Sequence, residues 1–198
     1  LFSYYSVVTG NPYPLINGRF CAFADSGYFI LYPSKQDKMI IDCGDVGPKY
    51  QPGHSHCDTL SFELSLDGER VIVDSGCYQY EDSSIRKYNR GNAGHNTITI
   101  DDKNQSEVWS AHRCAHKAKP LGGECGELDD KTLWFKGGHD GYKRLNGSSL
   151  HYREINWKGC VCIVKDTIKG NGKHLIKSRL HINPMFEVEL KDEKAFLT

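Results

Sequence analysis

Along most of this chain apolar and polar residues alternate with a period of two. In Leu60-Ser61-Phe62-Glu63-Leu64-Ser65-Leu66 every second position is apolar. On an extended backbone this turns one face to a core and leaves Ser61, Glu63 and Ser65 on the other. Asp67-Gly68 follows directly. That dipeptide suits the type I′ turn of a two-residue hairpin, so Val71-Ile72-Val73-Asp74 is expected to return antiparallel and to carry Asp74 back toward His56. Further strands are read at Gly27 to Tyr32, Met39 to Cys43, Asn96 to Ile100, Thr132 to Lys136, His151 to Trp157, Val161 to Ile168, His174 to His181 and Phe186 to Leu190. Gly170-Asn171-Gly172 reads as another hairpin turn, Ser83 to Arg90 as a short helical turn, and Lys117 to Asp130 as loosely structured turns. Many short strands broken by Gly, Asn and Asp predict an all-β fold, an antiparallel multi-stranded β-sandwich.

Composition narrows the partners. With 198 residues, 38% of them hydrophobic, the chain can bury one core, and it is read as one domain over residues 1–198. Lys+Arg and Asp+Glu both number 25, so no basic surplus exists to neutralise a phosphate backbone and nucleic acid is not an expected partner. An acidic polysaccharide needs only a local basic cleft. Neither a leader after Leu1 nor an apolar run long enough for a membrane span is visible, and the chain reads as a piece of something longer. Its eight cysteines match neither a paired Cys-x-x-Cys zinc site nor a compact disulfide framework, so free thiols are expected.

The candidate chemistry lies between Gly53 and Thr97. Gly53-His54-Ser55-His56-Cys57-Asp58, Val71-Ile72-Val73-Asp74-Ser75-Gly76 and Gly94-His95-Asn96-Thr97 bring imidazoles and a carboxylate to the ends of expected strands. His56, Asp74 and His95 have the nitrogen and oxygen donors that suit Zn²⁺, with a fourth position left open. If the segment is extended, His54 shares the face of His56 as a spare imidazole. Read alone, the spacing fits either a metal centre or ordinary polar residues at strand ends. Tyr78, Tyr80, Arg86, Tyr88 and Arg90 lie close enough in sequence to overhang such a site. Trp109, with Gln105, Glu107 and Arg113 nearby, is either a sugar-stacking, carboxylate-binding edge or a core tryptophan. His139 and His181 read as satisfied core histidines.

A longer set of motifs falls in order across nearly the whole chain: Gly27-Tyr28-Phe29-Ile30-Leu31, Asp42-Cys43-Gly44, Gly53 to Leu66, Val73 to Tyr78, Ala93 to Thr97, Gln105 to Trp109, His139-Asp140-Gly141-Tyr142 and Leu180 to Pro184. On these the chain resembles the C-terminal β-sandwich region of heparinase II/III-like proteins, a group of polysaccharide lyases. The resemblance implies a larger enzyme in which an N-terminal (α/α) toroid of the same chain packs on the sandwich, with the glycan in the cleft between them. It implies zinc ligands at His56, Asp74 and His95, and His54 as the catalytic-cleft imidazole. It also implies β-elimination on a uronic-acid-containing glycan and a periplasmic or secreted location. Substrate-binding positions are then expected at Tyr78, Arg86, Tyr88, Arg90, Trp109 and Arg113. Cys57, Cys77 and Gly94 depart from the family's usual residues without removing a ligand.

Two rivals predict different observations. A cupin-like metalloenzyme would use His54 and His56 together, with Glu63, although Glu63 lies farther along than a cupin set wants and alternates with apolar residues on a regular strand. A non-enzymatic carbohydrate-binding sandwich with a structural metal would bind oligosaccharide unaided.

Overall fold

The computed structural model describes residues 18–48 and 50–197. Its elements in chain order are β1 (Phe20–Phe23), β2 (Tyr28–Leu31), β3 (Lys38–Asp42), β4 (Phe62–Leu66), β5 (Glu69–Ile72), α1 (Ser84–Arg90), β6 (Ile98–Ile100), β7 (Glu107–Trp109), β8 (Arg113–Ala115), β9 (Pro120–Glu127), β10 (Leu133–His139), β11 (Leu150–Lys158), β12 (Val161–Lys169), β13 (Ile176–Ser178), β14 (Val188–Lys191) and β15 (Lys194–Leu197). Two antiparallel sheets dominate, one of five strands in the order β1-β2-β3-β4-β5 and one of four in the order β12-β11-β10-β9. The expected β-sandwich is the observed fold.

The period-two pattern explains the layering. Phe29, Leu31, Met39, Ile41, Phe62 and Leu64 point inward from the first sheet and meet Leu133, Phe135, Ile155 and Trp157 of the second in one buried cluster. Full burial of such side chains contributes roughly 1.5–3 kcal/mol each, which makes this inter-sheet layer the main source of stability. The β4–β5 hairpin turns at Asp67 and Gly68, whose φ values of 51° and 85° are those a type I′ turn requires. Ser83 caps α1 by accepting a hydrogen bond from the Arg86 backbone N–H.

Three local expectations fail. Residues read as loose turns between Lys117 and Asp130 include the eight-residue strand β9, paired along β10. Its run of Gly122, Gly123 and Gly126 lacks the β-branched signal of a strand, and pairing with β10 supplies what local propensity does not. Gly170-Asn171-Gly172 does not close a hairpin, because β13 crosses to pair with β6 instead of β12. The segment around His54 and His56 is not extended: residues Pro52–His54 form a single 3-10 turn and regular strand begins only at Phe62. None of the eight cysteines is disulfide-bonded.

Candidate metal centre and cleft

The site is built where three irregular segments meet beside the first sheet. Residues 52–61 are the second half of the connection from β3 to β4, residues 73–76 follow β5, and His95 comes directly after the 3-10 turn Asn92–Gly94. Arginines of α1 hold the first segment in place. Arg86 donates to the carbonyls of Gly53 at 2.5 Å and Ala111 at 3.1 Å. Arg90 donates to those of Ser55, Pro52, Ser110 and Arg113. Gly94 is required for close packing, since a Cβ there would lie 2.7 Å from Ser75 Oγ and 2.8 Å from the Tyr88 carbonyl.

These contacts bring His56 and His95 together, with ring centroids 5.3 Å apart. Among the described residues, the His, Cys, Asp and Glu donors that converge are those of His56, Asp58 and His95, all within 4.8 Å of one another. Asp74 stands on the other side of the His95 ring, its Oδ2 2.7 Å from Nδ1. The remaining nitrogen, Nε2 of His95, is buried with no hydrogen-bond partner. An unpaired buried ring nitrogen costs free energy unless something fills its place, and two imidazoles with a carboxylate are the donor set of a borderline cation such as Zn²⁺. The residues fit the expected metal.

The electrostatics agree. Burial, the His95 ring and the Arg86 guanidinium press the His56 pKa down to about 4, which keeps it in the neutral form a metal ligand needs. Burial works the same way on His95, but the Asp74 hydrogen bond and the Asp58 charge outweigh it and raise its pKa. A proton on His95 therefore occupies the same anionic surroundings that would favour a cation. Burial and the neighbouring Asp58 raise the Asp42 carboxyl to about 7.

His54 is turned away from this cluster. The 3-10 turn places it at the surface, with its ring 5.7 Å from that of Tyr80. Together with Gln51, Pro52, Gly53 and His112 the two line a hollow of about 320 Å³. Arg86 connects the hollow to the His56 and His95 pair: its guanidinium lies 4.8 Å from the Tyr80 ring centroid, and its NH1 is 3.5 Å from His56 Nε2. The same NH1 donates to Cys77 Sγ, one of the family departures.

The expected substrate-binding positions divide. Tyr78 (76%), Tyr88 (44%) and Trp109 (48%) are exposed, as is Arg113. Arg86 and Arg90 are a correction: they are 0% and 1% exposed, and their guanidinium groups are taken up by backbone carbonyls and, for Arg86, by Cys77 Sγ and the His56 ring, so they hold the local backbone and do not face the surface. The cupin arrangement is absent, since His54 is outside the converging group. Sequence reasoning passed over Asp58. Its signal was the alternation His54, His56, Asp58 within one short stretch, masked because Asp74 sits in the more conspicuous Val-Asp-Ser-Gly motif.

A β-sandwich carrying a histidine and carboxylate cluster beside an imidazole-lined hollow is the class that fold and site define. A family model for "Heparinase II/III-like, C-terminal" matches residues 16–198, and the chain belongs to that family. A curated relative, a heparin-sulfate lyase of Bacteroides stercoris, is 31% identical over 97 residues, which span 44% of this chain and 14% of the relative. Among solved structures, a heparinase III gene product superposes with a TM-score of 0.68 at 19% identity, over 89% of this chain and 26% of its own. A heparan sulfate lyase from Pedobacter heparinus gives a TM-score of 0.63 at 18% identity, over 84% of this chain and 24% of its own. The chain thus spans about a quarter of these structures. No helix among the described residues is long and apolar enough to cross a membrane.

Proposed function

We propose that this domain forms one wall of a polysaccharide lyase active site acting on a uronic-acid-containing glycan, the opposite wall being an N-terminal toroid of the same longer protein. The observation that carries the reading is the relay of side chains from His54 in the open hollow, through Tyr80 and Arg86, to the His56 and His95 pair. β-Elimination needs a base for the C5 proton, donors for the charge that develops on the neighbouring carboxylate, and a proton for the departing O4. His54 serves one of the first two roles. An imidazole can take a proton on one ring nitrogen or donate a hydrogen bond to a carboxylate from the other. Exposed Tyr78, Trp109 and Arg113 offer stacking faces and a guanidinium for a sugar acid.

In this reading a divalent ion such as Zn²⁺ is held by His56, His95 and Asp58, and it pins two irregular segments beside the cleft, with Asp74 tying in the third through His95. Asp74 holds the Nδ1–H of His95 and so orients the ring, as carboxylates do behind metal-ligating histidines. The support is the unpaired His95 Nε2 together with the converging donors. The test is His54→Ala in the full-length protein, with formation of the C4=C5 double bond followed by ultraviolet absorbance. A rate loss of about a hundredfold or more with metal content unchanged is expected of a group acting in proton transfer; an unchanged rate removes His54 from the mechanism. The carbohydrate-binding alternative requires oligosaccharide to bind saturably to this domain alone, which calorimetric titration would detect.

A further inference from the structure

Strand β11 sends Arg153 into the inter-sheet layer, where it is 1% exposed. We propose that Arg153 is a positioning residue of the metal centre, holding from the opposite sheet the two segments that carry Asp58 and His95. Its NH1 donates to the carbonyl of Leu60 at 2.7 Å and to that of Asn96 at 2.6 Å. Leu60 lies two residues beyond Asp58, with a left-handed φ of 68°, and Asn96 directly follows His95. One guanidinium nitrogen therefore ties together segments far apart in sequence, each at its ligand-bearing end. Such a left-handed residue costs free energy and persists only where its surroundings enforce it.

The rest of the guanidinium is locked. Asp166 accepts from Nε with Oδ1 at 2.8 Å and from NH2 with Oδ2 at 2.9 Å, a two-point fork that fixes the plane of the group. His151 supports the same carboxylate, its Nε2 2.7 Å from Asp166 Oδ1, and His139 Nε2 lies 3.0 Å from His151 Nδ1. The Gly141 backbone N–H donates to His139 Nδ1 at 3.1 Å, which leaves the His139 proton on Nε2 and sets the direction of every bond in the chain. All of these groups sit on β10, β11 and β12 or the turn after β10, so the fork is carried by regular sheet. A well-packed apolar core in its place is often as stable or more so. What the arrangement supplies is a fixed distance between two carbonyls, which a lysine ammonium, a point charge on a flexible stem, cannot reproduce.

Resting on the metal reading above, the proposal is tested in the full-length protein with Arg153→Lys and Asp166→Asn, against Trp157→Phe, a change of apolar volume on the same strand. Three quantities are read: Zn²⁺ affinity by competition with a chromophoric chelator, the visible spectrum of Co²⁺ in the site, and the proton resonance of the His95 Nδ1–H in metal-free protein. Arg153→Lys and Asp166→Asn are expected to weaken Zn²⁺ binding by about tenfold or more, to alter the Co²⁺ spectrum, and to shift or broaden the His95 resonance. Trp157→Phe should lower the Tm and move none of the three. If the arginine and aspartate variants lose stability yet keep wild-type affinity, spectrum and resonance, Arg153 is a core residue only and the proposal falls. If wild-type protein binds neither metal, the metal reading fails by itself and the His95 resonance decides: displacement in Arg153→Lys upholds positioning, and an unchanged signal overturns it.

Discussion

Two histidine pairs in this domain use the same chemistry to opposite ends. His139 and His151 lie deep between the sheets and every ring nitrogen is satisfied, by Gly141, by each other and by Asp166. His56 and His95 lie at the rim of the first sheet, and there one buried nitrogen is left unpaired. A carboxylate stands behind each pair, Asp166 in one and Asp74 in the other. The difference teaches that neither burial nor a carboxylate partner marks a functional histidine. In the proposed reading a closed chain of hydrogen bonds is a structural element, and a chain that ends on an unpaired nitrogen leaves a place for a ligand.

The largest effect should come from the open pair. His95→Ala and Asp58→Asn are each expected to abolish stoichiometric metal, read by elemental analysis of protein purified without chelators, whereas Asp74→Asn should retain it with affinity about 10–100-fold weaker. Equal losses in Asp58→Asn and Asp74→Asn would make Asp74 a ligand in its own right. Next in size is the closed pair. Asp166→Asn leaves the buried Arg153 charge uncompensated and should cost about 3 kcal/mol or more in urea unfolding.

The pairs should also separate by pH. Burial, with the neighbouring His151 and Arg153 charges, pushes His139 well below the usual imidazole pKa, and burial lowers His151 against the pull of Asp166. The unfolded chain therefore takes up these protons first as pH falls. The stability they contribute is complete above about pH 6.5 and is lost as pH drops below it. His95 is raised, so in metal-free protein its contribution is complete below about pH 6.5 and is lost as pH rises through its folded value. His139→Gln should flatten the acid side of the stability profile and His95→Gln the alkaline side; identical profiles would erase the distinction. The smallest effect is at the helix that frames the open pair. Ser83→Ala should cost about 1 kcal/mol through the lost cap and leave metal content intact.

Much of this was legible in the chain. Alternation in Leu60 to Leu66 and the Asp67-Gly68 turn set out the β4–β5 hairpin, and ordered motifs brought His56, Asp74 and His95 into one neighbourhood. Other features were not legible, for physical reasons. The strand β9 is rich in glycine and exists because β10 pairs with it. Arg86 and Arg90 were expected among the substrate-binding positions, because a guanidinium that binds a substrate and one that holds backbone carbonyls are the same residue in sequence. His54 and His56 were expected on one face by assuming an extended segment, and Pro52 instead starts a 3-10 turn that sends His54 outward. The carbonyls that occupy Arg153 come from residues whose side chains play no part in the contact, and no residue pattern records them.

The measurement that bears most directly on the distinction is anomalous diffraction at the zinc edge from crystals of the full-length protein soaked in Zn²⁺. A peak at bonding distance from His95 Nε2, shared with His56 and Asp58, and none beside His139 or His151, is the expected result. Density at the closed pair, or no peak at His95 in fully soaked crystals, would contradict it.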